Sequence, residues 1–555
     1  MDNTPVYAYL VALAAAMGGF LIGYEMGMIG QLIGMPSFNV QFGIQRDQKL
    51  NLTLPDGVVV HQTYKQIVLL LTHNKTFSEN LYDAGFDFTA ISLPDTRLAP
   101  EITGYIAFSF LAGAIAGAAI VAKLADGLGR RYSIFMGSVL FMVGGAMQAG
   151  AVNLSMLLVG RVVAGLGVGV MSAVVPLYIS ETAKTAIRGR LITVFQLMMA
   201  FGILIKCAVN SVLLTFITGN LQWRLALGLP LIPCLIMWLL IIVLPFSPRW
   251  LIDRNRDDEA VHTLAKLRNK PADCEELLAE FATIKENVNY EMEVGHATWL
   301  EILQPGIRNR VALGIILQFF QQWSGCNVML YYGGKVFSAI GMPVIHAFVT
   351  LIVLNAAINF LSTFFALWWV DRIGRKVLMI VGGFAMCFCH AAIACCLGLS
   401  DRVDEQYAEY FVRCAVVFIY LYTIIFASTL GPIVWVYQSE IFPMRVRAKA
   451  ASLCTMSNWI WNAVVAKLAP IMLAYMAYYT NVVFSSFCFA CGIFVWAFVP
   501  ETKGLTLECM NEIFGTPPDE ARSPDDKREK KIQKIMMLEA DKLKQEQLDM
   551  SHLRV

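Results

Sequence analysis

The chain has 555 residues, 57% of them hydrophobic and only 15% charged. A water-soluble domain carries roughly a quarter charged residues, so there is too little polar material here to coat a soluble body of this size. With 43 basic against 41 acidic residues the formal charge is +2, which excludes the strongly basic surface that nucleic acid requires.

A bilayer-spanning helix needs about 20 mostly apolar residues. The first such run is 6–31; no Lys or Arg precedes it, and it continues too far for the apolar core of a cleavable signal, so it reads as a membrane helix. Further runs follow at 103–122, 132–151, 156–178, 191–213 and 223–245. After a polar segment they resume at 311–335, 345–369, 377–398, 411–437, 450–474 and 478–499. The expectation is an all-α membrane protein with twelve transmembrane helices, six on each side of the polar segment. The domains expected are a bundle at 1–245 with an insertion at 38–100, a linker at 246–310, a second bundle at 311–503 and a charged tail at 504–555.

The insertion is unusually long for a connection between adjacent helices, so it is either a small ordered cap or a mobile loop. It carries glycosylation sequons at Asn51 and Asn74; a third, at Asn153, lies close to the predicted membrane surface. In the linker, Ala260, Val261, Leu264 and Leu267 form one helical stripe behind Asp257, Asp258 and Glu259, and Leu277, Leu278, Phe281 and Ile284 form another. Both read as short amphipathic helices. The tail reads as a solvated helix or a disordered segment, with a regulatory or lipid-surface role as the alternative.

Thirteen cysteines lie mainly inside apolar runs, as Cys387, Cys389, Cys395 and Cys396 do, and they read as small core residues. Metal ligation would need a second, suitably spaced cluster, and His390 is the only histidine near these four. No metal or other cofactor is expected, and no nucleophile elbow or phosphate loop points to an enzyme. Gly165, Gly167 and Gly169 fall inside the fourth predicted helix, where glycines permit close packing.

Basic residues alternate between loops. Lys123, Arg130 and Arg131 lie between the second and third helices, and Lys184, Arg188 and Arg190 between the fourth and fifth. Arg372, Arg375 and Lys376 follow the eighth, and Arg445, Arg447 and Lys449 the tenth. The positive-inside rule makes these loops cytoplasmic, with both termini and the linker on the same side.

The halves also repeat. Asp126-Gly127-Leu128-Gly129-Arg130-Arg131 matches Asp371-Arg372-Ile373-Gly374-Arg375-Lys376. Tyr178-Ile179-Ser180-Glu181 with Arg188 matches Tyr437-Gln438-Ser439-Glu440 with Arg447. Two similar halves can rock about a central site, the geometry of alternating access. Pairs among Asp126, Arg130, Arg131, Glu181, Arg188, Asp371, Arg375, Glu440 and Arg447 would latch one conformation, or merely anchor one face.

These blocks resemble those of the sugar porter family of the major facilitator superfamily. So do Gly23-Tyr24-Glu25, Gly160-Arg161, Ser247-Pro248-Arg249, Gln321-Gln322, Gly325, Asn327, Tyr331-Tyr332, Gly431-Pro432, Trp435, Glu440-Ile441-Phe442-Pro443 and Pro500-Glu501-Thr502-Lys503-Gly504. The likeness covers most of 6–510 and implies that family's fold, two pseudo-symmetric six-helix bundles. It further implies transport of a monosaccharide across the plasma membrane, with sugar and proton as partners beside the lipid.

Carboxamides in apolar helices are costly unless paired, and they donate and accept as a sugar hydroxyl does. By the resemblance, Gln196, Gln321, Gln322, Asn327 and Asn359 contact the sugar, with Phe426, Trp435, Asn458 and Trp459 as a wall. The competing role for a membrane amide is to join helices. Glu25 and Arg161 form the expected proton-coupling pair: burial and a close arginine act on the carboxyl in opposite senses, so it can titrate near working pH. Proton-coupled relatives carry Asp at the position of Glu25. Some facilitators also keep an acid there, so a static salt bridge is the alternative.

Two departures stand out. The family's Pro-Glu-Ser-Pro-Arg reads Pro245-Phe246-Ser247-Pro248-Arg249, so a partner of the first basic cluster is lost. Lys206 and Lys467 lie within the fifth and eleventh helices, where they either snorkel to the surface or line the cavity and favour an anionic cargo. Competing readings are a facilitative carrier, a carrier of inositol, another polyol or a sugar acid, and a transporter-like nutrient sensor.

Overall fold

The computed structural model describes residues 6–26, 28–32, 35–42, 49–53, 59–63, 100–294, 298–328, 351–443, 446–504 and 514. The chain opens with α1 (Val6–Glu25), α2 (Met28–Leu32) and α3 (Pro36–Phe42), then forms a hairpin of β1 (Lys49–Thr53) and β2 (Val59–Thr63). The first half continues with α4 (Pro100–Leu128), α5 (Arg130–Ala149), α6 (Leu154–Thr182), α7 (Arg188–Phe216), α8 (Asn220–Gly228) and α9 (Leu231–Val243). The linker carries α10 (Pro248–Asp253), α11 (Asp257–Arg268) and α12 (Glu275–Val294). The second half has α13 (Ile307–Trp323), α14 (Ile352–Ile373), α15 (Arg375–Ser400), α16 (Glu405–Ser428), α17 (Leu430–Glu440), α18 (Arg447–Met476) and α19 (Tyr479–Phe498).

Eleven helical stretches among the described residues are long and apolar enough to cross a membrane. The remaining predicted span begins as α13, and its continuation after residue 328 lies outside the described residues. Several boundaries move outward from the sequence reading: α4 and α6 run on to Leu128 and Thr182, and α7 and α18 begin at Arg188 and Arg447, inside the basic loops. Two predicted spans are interrupted. The sixth breaks between α8 and α9 at Leu229-Pro230, and the tenth at Thr429, whose φ of −129° and ψ of −93° leave the helical region. The hairpin is a departure from the all-α expectation. It pairs antiparallel with Asn51 opposite His61, which places the Asn51 sequon on a strand; Asn74 lies outside the described residues.

Tight approaches hold the first half together. A Cβ at Gly165 would lie 2.2 Å from the Phe110 carbonyl, and one at Gly169 2.1 Å from that of Ala114, so α4 and α6 touch backbone to backbone. The large apolar core of this half also includes Trp435 and Trp459 from the second, whose own core centres on α13, α15, α17 and α19. The seam between the halves runs along α4 against α18 and α7 against α14.

The linker helices form a small core of their own. Ala260, Leu264 and Leu267 are buried, and Leu277 is too, but Leu278 is 43% exposed, so the second stripe is narrower than its sequence indicates. Arg268 closes the end of α6 by donating to the carbonyls of Thr182 and Ala183 at 3.0 and 3.5 Å while pairing with Glu280 at 2.6 Å.

Candidate functional site

A cavity opens at the seam at mid-height. It counts all nine expected contacts among its lining: Gln196, Gln321, Gln322, Asn327, Asn359, Phe426, Trp435, Asn458 and Trp459. Its wall also includes Ser172, Asn355, Tyr422 and Thr423, which the sequence reading did not single out. Asn355 is one helical turn before Asn359 and accepts from the Thr423 hydroxyl at 2.7 Å, so the i, i+4 spacing was the available signal.

The amides divide into two kinds. Gln321 gives its Nε2 to the carbonyls of Leu430 and Gly431, in the first turn of α17, at 3.3 and 2.9 Å, and accepts from Asn458 at 2.8 Å. Asn458 also donates to Gln318 at 2.5 Å, and Gln318 donates to Gln438 at 2.6 Å. This chain fixes α13, α17 and α18, so for Gln321 and Asn458 helix joining and cavity lining coincide. Gln196 differs: its buried Oε1 has no hydrogen-bond partner among the described residues. Asn327 donates to the Oε1 of Gln322, and the two span the break in the helix begun by α13.

Indoles close the cavity across the seam. Trp435 meets Phe195 edge-on at 5.8 Å, and Trp459 donates to the Ser172 hydroxyl at 3.1 Å. Aromatic faces beside convergent amides suit a ring with hydroxyls on its rim and C–H groups on its faces.

Glu25 is the last residue of α1, between the cavity-lining Ile22 and Met26 in sequence. Its Oε2 lies 3.7 Å from Nη1 of Arg161, with side-chain exposures of 0% and 2%. The guanidinium also donates to Gln148 at 2.9 Å and packs over Phe110 at 5.3 Å. Among the described residues the carboxylate oxygens make no hydrogen bond, so charge attraction links the pair. Lys206 does not snorkel. It is 1% exposed, and its amine donates to the Met26 carbonyl at 2.7 Å, one residue past Glu25. Lys467 is exposed. The two lysines occupy similar places in sequence but face opposite surroundings, because the helical faces that carry them differ.

On the basic face each half has an acid at its centre. Glu181 accepts from Arg130 at 2.9 and 3.0 Å and from Ser247 at 2.6 Å. Glu440 accepts from Arg375 at 2.8 and 3.2 Å, from Thr502 at 2.9 Å and, across the seam, from Arg188 at 3.4 Å. Asp371 pairs with Arg375 at 3.1 Å and across the seam with Arg190 at 3.4 Å. Its counterpart Asp126 lies 4.0 Å from Arg130 and 3.6 Å from Lys449 of the other half. Arg190–Asp371 and Lys449–Asp126 are related by the duplication, each basic residue standing two positions after Arg188 or Arg447. Neither pair was expected from the motifs alone. Arg131 is not placed on an acid: it donates to the Ile242 carbonyl at 2.9 Å and lies over the Phe246 ring at 4.8 Å. Arg447 donates to the Phe442 carbonyl at 2.9 and 3.2 Å. Arg190–Asp371, Lys449–Asp126 and Arg188–Glu440 therefore bridge the seam on this face.

Comparison with known proteins agrees with this architecture. Residues 11–514 match the family model described as sugar (and other) transporter. The chain is 30% identical to Sugar transport protein 1 of Arabidopsis thaliana over 92% of its length and 90% of the relative's. It is 33% identical to the low-affinity glucose transporter of Kluyveromyces lactis over 92% and 82%. Its fold superposes on the proton:xylose symporter XylE bound to 6-bromo-6-deoxy-D-glucose with a TM-score of 0.72 and 25% identity, covering 92% of this chain and 100% of that one. For the inward-open form of XylE from E. coli the TM-score is 0.63 at 24% identity, with the same coverage. With two six-helix halves, a cavity at their seam and a family match over nearly its whole length, the chain belongs to the sugar transporter family of the major facilitator superfamily, a family of multi-pass membrane transporters and not of enzymes.

Proposed function

We propose that the chain carries a monosaccharide, a hexose or pentose, across the plasma membrane by alternating access, coupled to a proton through Glu25 and Arg161. The reading rests on one observation above others: amides from α7, α13, α14 and α18 converge with Trp435 and Trp459 on one cavity at the seam of the two halves. The names of the relatives, a glucose transporter and a proton:xylose symporter among them, support sugar as cargo. In this reading residues 1–245 and 311–503 are the two moving bodies and 246–310 braces them. The basic face, both termini and the tail at 504–555 are cytoplasmic. The paired acids and bases of that face hold it shut, and Gln196, with its unpartnered oxygen, is poised to accept from a sugar hydroxyl.

A facilitative carrier is the second reading, and Lys206 favours it. A buried amine on the carbonyl next to Glu25 gives the carboxylate a second cation close by, which suits a permanently paired acid.

Protein in liposomes, loaded with buffer and given labelled glucose with xylose and a sugar acid as competitors, separates these readings. Accumulation above equilibrium under an inward proton gradient, lost with a protonophore and in Glu25→Gln, supports symport. Equilibration indifferent to the gradient makes the chain a facilitator. Folded protein that takes up none of them moves the reading to another cargo or to a sensor.

A further inference from the structure

The mechanism above leaves His390, a buried ionisable group of the second half, unused. His390 lies in α15, 5% exposed, between Tyr422 of α16 at 4.6 Å and Phe484 of α19 at 5.7 Å between ring centres. An ionisable side chain within a membrane helix is a functional candidate by default.

Its contact is with a break. After α13 the chain passes Ser324 and then Gly325, whose φ is +87°, a conformation that glycine adopts without strain. The helical ladder slips here: the Val328 N–H goes to the Gly325 carbonyl at 3.1 Å, which frees the Ser324 carbonyl one residue earlier. Two side chains take up that carbonyl. The Tyr422 hydroxyl donates to it at 2.9 Å, and Nε2 of His390 lies 3.0 Å away. A carbonyl can only accept, so Nε2 carries the hydrogen. Nδ1 lies 3.2 Å from Oδ1 of Asn481 on α19; with the ring's hydrogen on Nε2, the two pair once the amide is turned so that its NH2 end donates to Nδ1. A Cβ at position 325 would sit 3.3 Å from the imidazole, so the ring lies directly against the break.

The break separates two cavity residues. Gln322 precedes it and Asn327 follows it, and the bond between their amides depends on the angle of the chain at 324–325. We propose that His390 is a positioning residue for the substrate site: tied to α19 through Asn481, it holds the Ser324 carbonyl and so sets Asn327 against Gln322. The proposal rests on the transport reading for its kinetic test, and on the geometry alone for its structural one.

Full-length His390→Phe and His390→Gln test it. Phe keeps the packing against Tyr422 and Phe484 and removes the donor; the Gln amide can restore it. For Phe we expect the KM for sugar uptake to rise about tenfold, with the maximal rate per folded protein changing less than about threefold. Backbone amide exchange at 324–328 should quicken about tenfold, and Gln should recover most of both effects. A Phe variant with wild-type KM and exchange overturns the proposal. So does a Gln variant that fails as badly as Phe, since packing alone would then explain the residue. If wild-type protein takes up no sugar, the transport reading falls, while the exchange comparison still decides the role of His390.

Discussion

The two acid clusters of the basic face began as one design and have diverged. Around Glu440, Glu501 accepts from the backbone N–H groups of Arg375, Lys376, Thr502 and Lys503, each at 2.9 Å, and so caps the start of α15. Around Glu181 the matching place is held by Phe246. Its ring stacks on Trp250 at 5.0 Å with 17° between planes, and it lies beneath Arg131 at 4.8 Å and Arg256 at 5.6 Å. The Glu440 cluster is knit by charge, the Glu181 cluster by charge and aromatic faces. A cation–π contact keeps its strength over a range of ring positions, whereas a carboxylate on four N–H groups fixes one geometry. The difference teaches that a duplicated motif preserves the central acid and arginine but leaves their support free to change.

The largest effect should come from Glu440→Gln. Glu440 is 0% exposed and holds Arg375 and Arg188 together, so its loss leaves buried cations short of charge. Losing one partner of such a pair costs about 3–5 kcal/mol, read as a fall in thermal stability and a drop in uptake of at least about tenfold. Glu181→Gln should fall short of that, at about 2–3 kcal/mol, because Arg130 is 17% exposed and water can reach it. Equal losses in the two variants would erase the asymmetry.

Glu501→Gln tests the cap. It removes the charge but leaves an acceptor, so about 1 kcal/mol is expected, measured by thermal unfolding in detergent. Phe246→Glu in the first half should not supply an equal gain, since it gives up the stack on Trp250. If it stabilises by more than about 1 kcal/mol, the aromatic support is the poorer solution. The smallest effect belongs to Asp126→Lys. Asp126 is 42% exposed, so its bond across the seam to Lys449 contributes about 0.2–1 kcal/mol. Adding Lys449→Asp should restore any change in uptake rate that the single variant makes; a double variant no better than the single would remove Lys449–Asp126 from the seam.

Much of this was legible in the sequence. The helices follow from runs of apolar residues, and Gln321, Gln322 and Asn327 stand out because amides are rare in such runs. The repeated acids and arginines could be matched because each motif is local. What was not legible depends on packing. Lys206 looks like a surface-seeking lysine until the rotation of α7 turns it toward Met26. Arg190–Asp371 joins residues 181 positions apart, and no linear pattern links them. Tyr422 reads as one more aromatic until the break at Gly325 gives its hydroxyl a carbonyl to bind. The interruption at Thr429 is signalled by Gly431-Pro432 rather than by hydropathy, since Pro432 has no N–H to give the Ser428 carbonyl.

The backbone contact of α4 with α6 bears on a matter apart from cargo. Carbonyls that would stand 2.1 to 2.2 Å from an added Cβ leave no width for a file of water molecules between these helices. Each such seam is a dielectric wall, impermeable to ions and to protons hopping along water. The boundary between the halves is filled by side chains instead, such as Ser452 on the Ala118 carbonyl and Trp459 on Ser172, and gives leakage an easier path. In the proposed transport cycle, the membrane's electrical tightness therefore rests on the joint that opens, and on its never opening at both ends together.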